Sequence, residues 1–318
     1  MPLVRARFTS SLAVLFAFAA MLLSGTSLWA QSAAEPENLS FTTKDGVQIK
    51  GTYYPSDVGE QAVPVIMLHD ANESRAVFAD FARLLQSPVL PNGQKRDSRA
   101  VVTIDLRGHG DSRTAIGRNG ATVELDGSNF RTSDYAAMVL QDMEAVRKFL
   151  VEKNNAHDLN LNKLCLIGSG MGANVATIWA ARDWSMPPLA RVKQGQDVKA
   201  LVLISPRWSF RGLPLKDAIR QPGLREGASF FVAYGNEDGK FKSDARNIHK
   251  NLERYHPEPP RDQIREKKTL YFNDKLDTSL QGSELLTKPQ FKLFVDIDVF
   301  IERRLVNQDF PWIDRKLQ

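Results

Sequence analysis

Two short stretches of this 318-residue sequence decide its fold: Gly-Ser-Gly-Met-Gly-Ala at residues 168–173 and Asp-Leu-Arg-Gly-His-Gly-Asp-Ser at residues 105–112. Each begins at the end of an apolar run, Lys163–Gly168 in the first case and Ala100–Leu106 in the second. A glycine-rich turn after such a run predicts a strand that ends in a tight loop. Open α/β sheets bind their ligands at the carboxyl ends of strands, so we expect the functional site at these two turns.

Outside the two turns, apolar strand-like runs alternate with amphipathic helix-like stretches. The predicted strands are Val63–His69, Ala100–Leu106, Lys163–Gly168, Val198–Ser205, Phe230–Gly235 and Thr269–Phe272. The predicted helices are Arg75–Gln86, Tyr135–Asn154, Asn174–Trp184, Leu215–Arg220, Ser243–Tyr255 and Gln290–Leu305, the last one apolar on most sides and packed deeply. Extended runs at Leu39–Thr43 and Val47–Tyr54 flank Asp45-Gly46 and predict a hairpin. The fold class is therefore α/β, a mostly parallel doubly wound sheet with an antiparallel N-terminal hairpin.

The first 34 residues have the three-part pattern of a secretory signal. Arg5 and Arg7 precede the apolar run Leu12–Leu23, and small residues follow. A helix of that run would span only about 18 Å, which is too short for a bilayer core. We predict a signal peptide over residues 1–30, with cleavage after Ala30 or as late as Ala34, and a single domain over residues 35–318. The mature protein is then secreted or periplasmic, with no stable membrane span.

Composition excludes several classes of function. The net charge is only +5, and no basic block of the kind that binds nucleic acid is present. The single cysteine, Cys165, lies in an apolar run, which favours an inert buried residue. The five histidines show no metal-ligand spacing, so we predict no metal and no cofactor. The expected partner is a small-molecule ligand or another extracytoplasmic partner.

With the strand order and Leu68-His69-Asp70, the two turns resemble those of the α/β-hydrolase family of serine esterases and lipases. The resemblance covers roughly Leu39 to Leu305. It implies that residues 105–112 form a structural turn, which makes His109 a turn residue. In that family the second turn reads Gly-x-Ser-x-Gly and raises a nucleophilic serine on a strained elbow.

When that motif is aligned with this sequence, the outer glycines of the elbow are Gly168 and Gly172, and the nucleophile position holds Gly170. Side chains at the outer positions would collide with the neighbouring strand and helix. Ser169 is a poor substitute nucleophile, because an offset of one residue on a sharp turn directs its side chain elsewhere. The elbow is therefore degenerate, since glycine cannot form an acyl-enzyme.

The remaining triad positions are also incomplete. The resemblance implies that Asp238, in Gly235-Asn236-Glu237-Asp238, is either the retained acid or simply the cap of the next helix. The base should be a histidine in the loop Asp274–Gln281, and none is there, because the last histidine of the chain is His256. Leu276 or Asp277 occupies that region instead. A serine hydrolase of this chain order needs an imidazole to carry the proton.

The backbone of the site should nevertheless persist. The amide of Met171 at a helix N-terminus and that of Ala71, after Asp70, are the implied donors of an oxyanion hole. We expect an anion-friendly pocket with no attacking group. The predicted function is ligand or partner binding without serine-hydrolase activity.

Two alternatives remain open. The first is an active hydrolase of ester-like substrates in which Asp238, His69 or His109 supplies unusual acid–base chemistry. The second is a dinucleotide-binding protein, because residues 168–173 also fit the pattern G-x-G-x-x-A. The late position of that pattern, the lack of an acidic residue after the next strand and the unexplained turn at 105–112 oppose the second alternative.

Overall fold

Ten strands form one sheet at the centre of the computed structural model, which describes residues 33–315 except 88, 91, 118, 188 and 190–192. The strands are β1 (Glu37–Thr42), β2 (Val47–Tyr54), β3 (Pro64–Leu68), β4 (Ala100–Ile104), β5 (Thr114–Ile116), β6 (Thr122–Glu124), β7 (Leu164–Ser169), β8 (Val198–Ile204), β9 (Ser229–Gly235) and β10 (Leu270–Leu276). Their spatial order is β10-β9-β8-β7-β3-β4-β2-β5-β6, and β1 pairs with β2. From β10 to β4 all neighbours are parallel, whereas β1, β2, β5 and β6 pair in antiparallel fashion.

Helices cover both faces of the sheet. They are α1 (Ala79–Gln86), α2 (Thr132–Ala137), α3 (Met143–Asn155), α4 (Met171–Ser185), α5 (Leu215–Ala218), α6 (Pro222–Gly227), α7 (Gly239–Leu252), α8 (Ile264–Lys267) and α9 (Leu293–Ile301). Short π-helical stretches, Met138–Asp142 and Glu302–Val306, lie between α2 and α3 and after α9. This mostly parallel sheet with an antiparallel N-terminal hairpin confirms the predicted fold class.

The continuous apolar runs arise because the parallel strands are buried on both faces. In β3, Ile66 and Leu68 pack into the cluster beneath α3 and α4, while Val65 and Met67 face the opposite cluster beneath α1 and α9. Cys165 of β7 joins the second cluster as a free thiol. Burial raises the pKa of that thiol, which keeps it protonated and inert.

The structure differs from the sequence expectations at several elements, among them the edge strands β5 and β6 and the C-terminal helix α9. The pair β5 and β6 was not predicted, because strands of three mostly exposed residues carry no apolar pattern. The segment Gln290–Leu305 is not buried on most sides: Val295 is 58% and Val299 37% exposed. Only the face of α9 that carries Ile297 and Phe300 packs against the sheet.

The predicted signal peptide, residues 1–30, lies outside the described residues. From Ala33 onward the chain forms one compact unit. Within the described part, no helix combines the length and apolar character needed to cross a membrane.

Candidate functional site

The turn between β7 and α4 is a strained elbow centred on Gly170. This residue has φ +48° and ψ −112°, a conformation that side chains rarely tolerate. Its N–H donates to the Ile204 carbonyl of the neighbouring strand over 2.9 Å. A Cβ on Gly168 would lie 2.5 Å from the Ala173 nitrogen, and one on Gly172 would lie 2.6 Å from the His69 carbonyl oxygen. Both outer positions therefore need glycine, because neighbouring backbone lies against them, as the sequence predicted.

The space beside Gly170 is filled by the carboxylate of Asp70, the second residue after β3. A Cβ on Gly170 would overlap that carboxylate group. Asp70 Oδ1 accepts hydrogen bonds from the Ala71 and Met171 amides, each over 2.7 Å. The structure thus brings together the two backbone donors that the sequence analysis named and places an internal carboxylate on both of them.

Asp70 is half-buried in a polar environment. Burial raises the pKa of Asp70, while the amides of Met171 and Ala71 oppose that rise, as do the charges of Arg207 and His109. The Arg207 guanidinium lies over the Phe241 ring, 4.7 Å from its centroid, and contacts Asp244. The expectation of an anion-friendly pocket therefore needs one correction, because the anion at these donors is a side chain of the protein itself.

The loop after β10 reaches the elbow through Gly282. A Cβ on Gly282 would lie 3.0 Å from Ser169 Oγ and 3.7 Å from Asp70 Oδ2. Gly282 has φ +62°, and its N–H donates to Ser205 Oγ over 2.7 Å. The loop therefore brings backbone to the elbow where the family brings an imidazole.

Gln281, the residue before Gly282, lies between the ends of β8 and β9. Its Oε1 accepts from Ser205 Oγ over 2.8 Å, and its Nε2 donates to the Gly235 carbonyl over 2.8 Å. The sequence predicts Leu276 or Asp277 in the region of the missing base. Leu276 instead belongs to β10, and Asp277 accepts from Asn236 away from the elbow.

Glu73 ties the Asp70 loop to the loop that follows β10. Its Oε2 accepts from the Asp70 N–H over 2.9 Å, and its Oε1 accepts from the Ser283 hydroxyl. These bonds hold Asp70 in place from both sides of the elbow. Sequence reasoning missed Glu73, because nothing local marks a carboxylate that pairs with a residue 210 positions away.

Sequence reasoning also missed Asp70 as a side chain, although it named the neighbouring amide. A signal was present at His69-Asp70, because the corresponding loop of many lipases and esterases carries glycines after the histidine. An acidic residue at that point introduces a side chain where the oxyanion donors lie. Its partner, the Met171 amide, is 101 residues away in the sequence.

Of the other two candidate side chains, Ser169 lies at the elbow and Asp238 caps a helix. Ser169 is fully buried, and its hydroxyl has no hydrogen-bond partner among the described residues. Asp238 caps α7, accepting from the Lys240 and Phe241 amides over 2.9 and 3.1 Å. The structure therefore brings Ser169 close to the elbow and leaves Asp238 in use as a helix cap.

The two histidines named as alternative acid–base groups are buried in turns. His69 Nε2 accepts from the Leu106 N–H over 3.0 Å, so the ring proton lies on Nδ1, which is 2.6 Å from the Asp70 carbonyl oxygen. Burial lowers the pKa of His69 to about 4, so this ring is neutral. His109 Nδ1 lies 2.8 Å from the Arg107 carbonyl oxygen. Both rings stabilise the turns after β3 and β4.

Two surface cavities lie apart from the elbow. One, of about 260 Å³, is lined by Arg75 and Asp105 among others, and the other, of about 420 Å³, lies beside Tyr271 and Arg303. Neither is lined by Gly170 or its neighbours. Within the described residues, no group of three or more His, Cys, Asp or Glu side chains is placed to hold a metal ion.

Comparison with known proteins agrees with this architecture. Residues 65–295 match the model of the alpha/beta hydrolase family. An esterase of Pyrococcus furiosus aligns over 86% of this chain and 93% of its own, with 17% identity and a TM-score of 0.51. A hyperthermophilic esterase from the archaeon Pyrobaculum calidifontis aligns over 86% and 85%, with 14% identity and a TM-score of 0.53.

No curated protein matches the chain. The structural similarities, at such low identity, establish the fold and not the reaction. The matched residues extend from β3 into α9 and include both diagnostic turns. The chain therefore belongs to the alpha/beta hydrolase family.

Proposed function

We propose that this protein is an exported member of its family that has no serine-hydrolase activity and acts by binding a ligand or partner. The observation that carries the proposal is the Asp70 carboxylate on the amides of Ala71 and Met171, beside Gly170. These positions supply a serine hydrolase with its oxyanion donors and its nucleophile.

The geometry opposes ester cleavage in two independent ways. A substrate carbonyl would have to displace Asp70 from two charge-assisted hydrogen bonds, each of which contributes about 1.5–3 kcal/mol. Even after displacement, Gly170 offers no hydroxyl, and Gly282, where the loop after β10 reaches the elbow, offers no imidazole. Covalent catalysis by the usual route therefore lacks both its nucleophile and its base.

A fluorophosphonate probe tests this proposal directly. We expect no stoichiometric labelling of the purified protein and no turnover of p-nitrophenyl acetate above a heat-denatured sample. The matched control is Ser169→Ala, which should behave as the wild type does. Stoichiometric labelling of one serine, above all labelling that Ser169→Ala abolishes, would refute the proposal.

One observation favours a second candidate, a hydrolase that uses Asp70 itself. Asp70 Oδ2 lies beside the Gly170 position, and no donor among the described residues bonds to it. Attack of this oxygen on an ester would form a mixed anhydride and expel an alkoxide, which would take a proton from water to leave as the alcohol. The hydroxide so formed would cleave the anhydride to two carboxylates and release one proton. Turnover in ¹⁸O-water with ¹⁸O appearing in the Asp70 peptide would establish this route. A mass spectrum without that label, together with no turnover, would exclude it.

The dinucleotide alternative meets an obstacle at the same place. The first free amide of α4, that of Met171, already bonds to Asp70, and a cofactor diphosphate would need this helix end. We expect no binding when NAD(H) is titrated into the protein. Saturable binding that disappears in Met171→Pro, a variant without the amide, would favour the dinucleotide reading.

Export is part of the proposal and rests on the sequence of the first 34 residues. Sequencing the N-terminus of the protein from the extracytoplasmic fraction should show a start at residue 31 or 35. Retention of Met1 in that fraction would count against a cleaved signal peptide.

A further inference from the structure

The segment Phe310–Arg315, which forms neither helix nor strand, lies in a groove that four asparagine side chains line. We call this the asparagine groove, formed by Asn154, Asn155, Asn160 and Asn162 at the end of α3 and in the turns that follow it. The groove lies apart from the elbow, near the N-terminal end of β7.

All four asparagines bond to the main chain of the segment. Asn160 Nδ2 donates to the Phe310 carbonyl over 2.9 Å. The Pro311 and Ile313 carbonyls accept from Asn162 and Asn154, each over 3.0 Å. Asn155 pairs with the backbone of Arg315 in both directions: its Oδ1 accepts from the N–H over 2.8 Å and its Nδ2 donates to the carbonyl. This pattern recognises an extended peptide backbone.

The groove is held in shape by its own backbone. Asn154 Oδ1 accepts from the Leu161 N–H over 2.9 Å, and Asn160 Oδ1 accepts from the Asn162 N–H over 3.0 Å. These bonds fix the amide planes with their N–H groups directed at the segment. Donors fixed in this way bind a peptide with little loss of side-chain entropy.

Two side chains of the segment add sequence selectivity. The Trp312 ring stacks on His157 with centroids 4.5 Å apart, and its Nε1 donates to the Asn154 carbonyl. Arg315 is almost fully buried, and its guanidinium bonds to Asp197 over 2.6 Å and to the Lys193 carbonyl over 3.1 Å. The groove thus contacts the side chains of a tryptophan and of an arginine three residues later.

We propose that the asparagine groove is a peptide-binding site that accepts the same segment from a second copy of this chain. Exchange between two copies reproduces every contact of the groove, so only the connection at Asn307–Asp309 has to change its path. Asn307 and Asp309 are exposed, and the Asn307 N–H bond to the Glu302 carbonyl, over 3.0 Å, is the main-chain bond of this connection that a new path would break. The segment within the chain is then a competitor of the segment supplied by the partner copy.

A labelled peptide tests the proposal on the full-length chain. A fluorescein-labelled peptide of residues 307–315 is titrated into the protein, and its anisotropy is measured. Trp312→Ala in the chain weakens the resident segment, and we expect it to tighten peptide binding about tenfold relative to the wild type. Adding Asn155→Ala to the same chain should remove that gain, because the groove itself is damaged.

Asp314→Ala is the matched control, because Asp314 is exposed and its side chain makes no hydrogen bond to another described residue. This variant should bind the peptide as the wild type does. A scrambled peptide should not bind. If Trp312→Ala does not fold, Phe310→Ala takes its place. Absence of saturable binding to a chain that melts cooperatively, or equal binding of the scrambled peptide, would overturn the proposal. Heterodimers of two differently tagged chains after joint refolding are the expected product of exchange, and their absence would also contradict it.

Discussion

Gly170→Ser would place a hydroxyl at the elbow, and we predict that it destabilises the fold instead of restoring catalysis. A side chain at φ +48° costs about 1–2 kcal/mol. Its Cβ would also overlap the Asp70 carboxylate, which must leave the amides of Ala71 and Met171. Each lost bond costs about 1.5–3 kcal/mol, part of which water returns because Asp70 is only half-buried. We expect the free energy of unfolding to fall by about 3–5 kcal/mol.

A double-mutant cycle isolates the collision from the backbone strain. Asp70→Gly alone leaves two amides without the carboxylate acceptor and should cost about 1–3 kcal/mol for each amide, less what water returns at this half-buried site. In the double variant the serine side chain meets no carboxylate, so its cost should be smaller than the sum of the single costs by about 2–3 kcal/mol. Urea unfolding of the four proteins, followed by circular dichroism, measures this coupling.

The control is Gly239→Ser in α7, where a Cβ would meet no atom within 4 Å. This variant should lose little stability and should not couple to Asp70→Gly. If the Gly170 and Asp70 substitutions prove additive to within about 0.5 kcal/mol, the carboxylate does not occupy the elbow, and the account of the site fails.

Three further predictions concern the amides beside Asp70, the loop after β10 and the buried carboxyl group of Asp183. Acetate should raise the melting temperature of Asp70→Gly but not that of the wild type, because it can replace the missing carboxylate on the two amides; equal shifts would contradict this. Adding Gln281→His to the double variant Asp70→Gly/Gly170→Ser should raise p-nitrophenyl acetate hydrolysis about 10²-fold, and an unchanged rate would show that position 281 cannot serve the elbow. Burial, with the nearby charge of Asp197, raises the pKa of Asp183 to about 7, so between pH 4 and 7 the folded state binds a proton that the unfolded state releases. Urea unfolding should therefore show stability rising as the pH falls from 8 to 5, and Asp183→Asn should flatten that slope; an unchanged slope would refute the assignment.

The sequence predicted the parallel core of the fold because burial on both faces leaves a strong local mark. The apolar runs of β3 and β7 match the predicted strands to within about one residue at each end. The pair β5 and β6 lacks that mark, since its residues are mostly exposed. Helix α4 begins at Met171, three residues before the predicted start, because the elbow leads into the helix without a loop.

In the candidate site, too, the residues that a local motif marks could be predicted, whereas the contacts between distant segments could not. Gly168 and Gly172 lie within one short motif, so their steric roles could be predicted from the resemblance of that motif to the elbow of the family. The contact of Asp70 with Met171 depends on how β3 and β7 pair, and it is visible only after the sheet is built. The approach of Gly282 was missed for the same reason, since nothing local distinguishes it from other loop glycines.

The two departures at the elbow form a matched pair. Loss of the serine alone would leave the Ala71 and Met171 amides facing an emptied space, and each buried amide without an acceptor costs about 1–3 kcal/mol. In this chain a carboxylate from the loop after β3 satisfies both amides and fills the volume that Gly170 vacates. A serine at position 170 and the observed position of the Asp70 carboxylate are mutually exclusive, because both need the same space. The two amides are thus satisfied from within the chain, which is why we look for the function of this protein in binding rather than in ester hydrolysis.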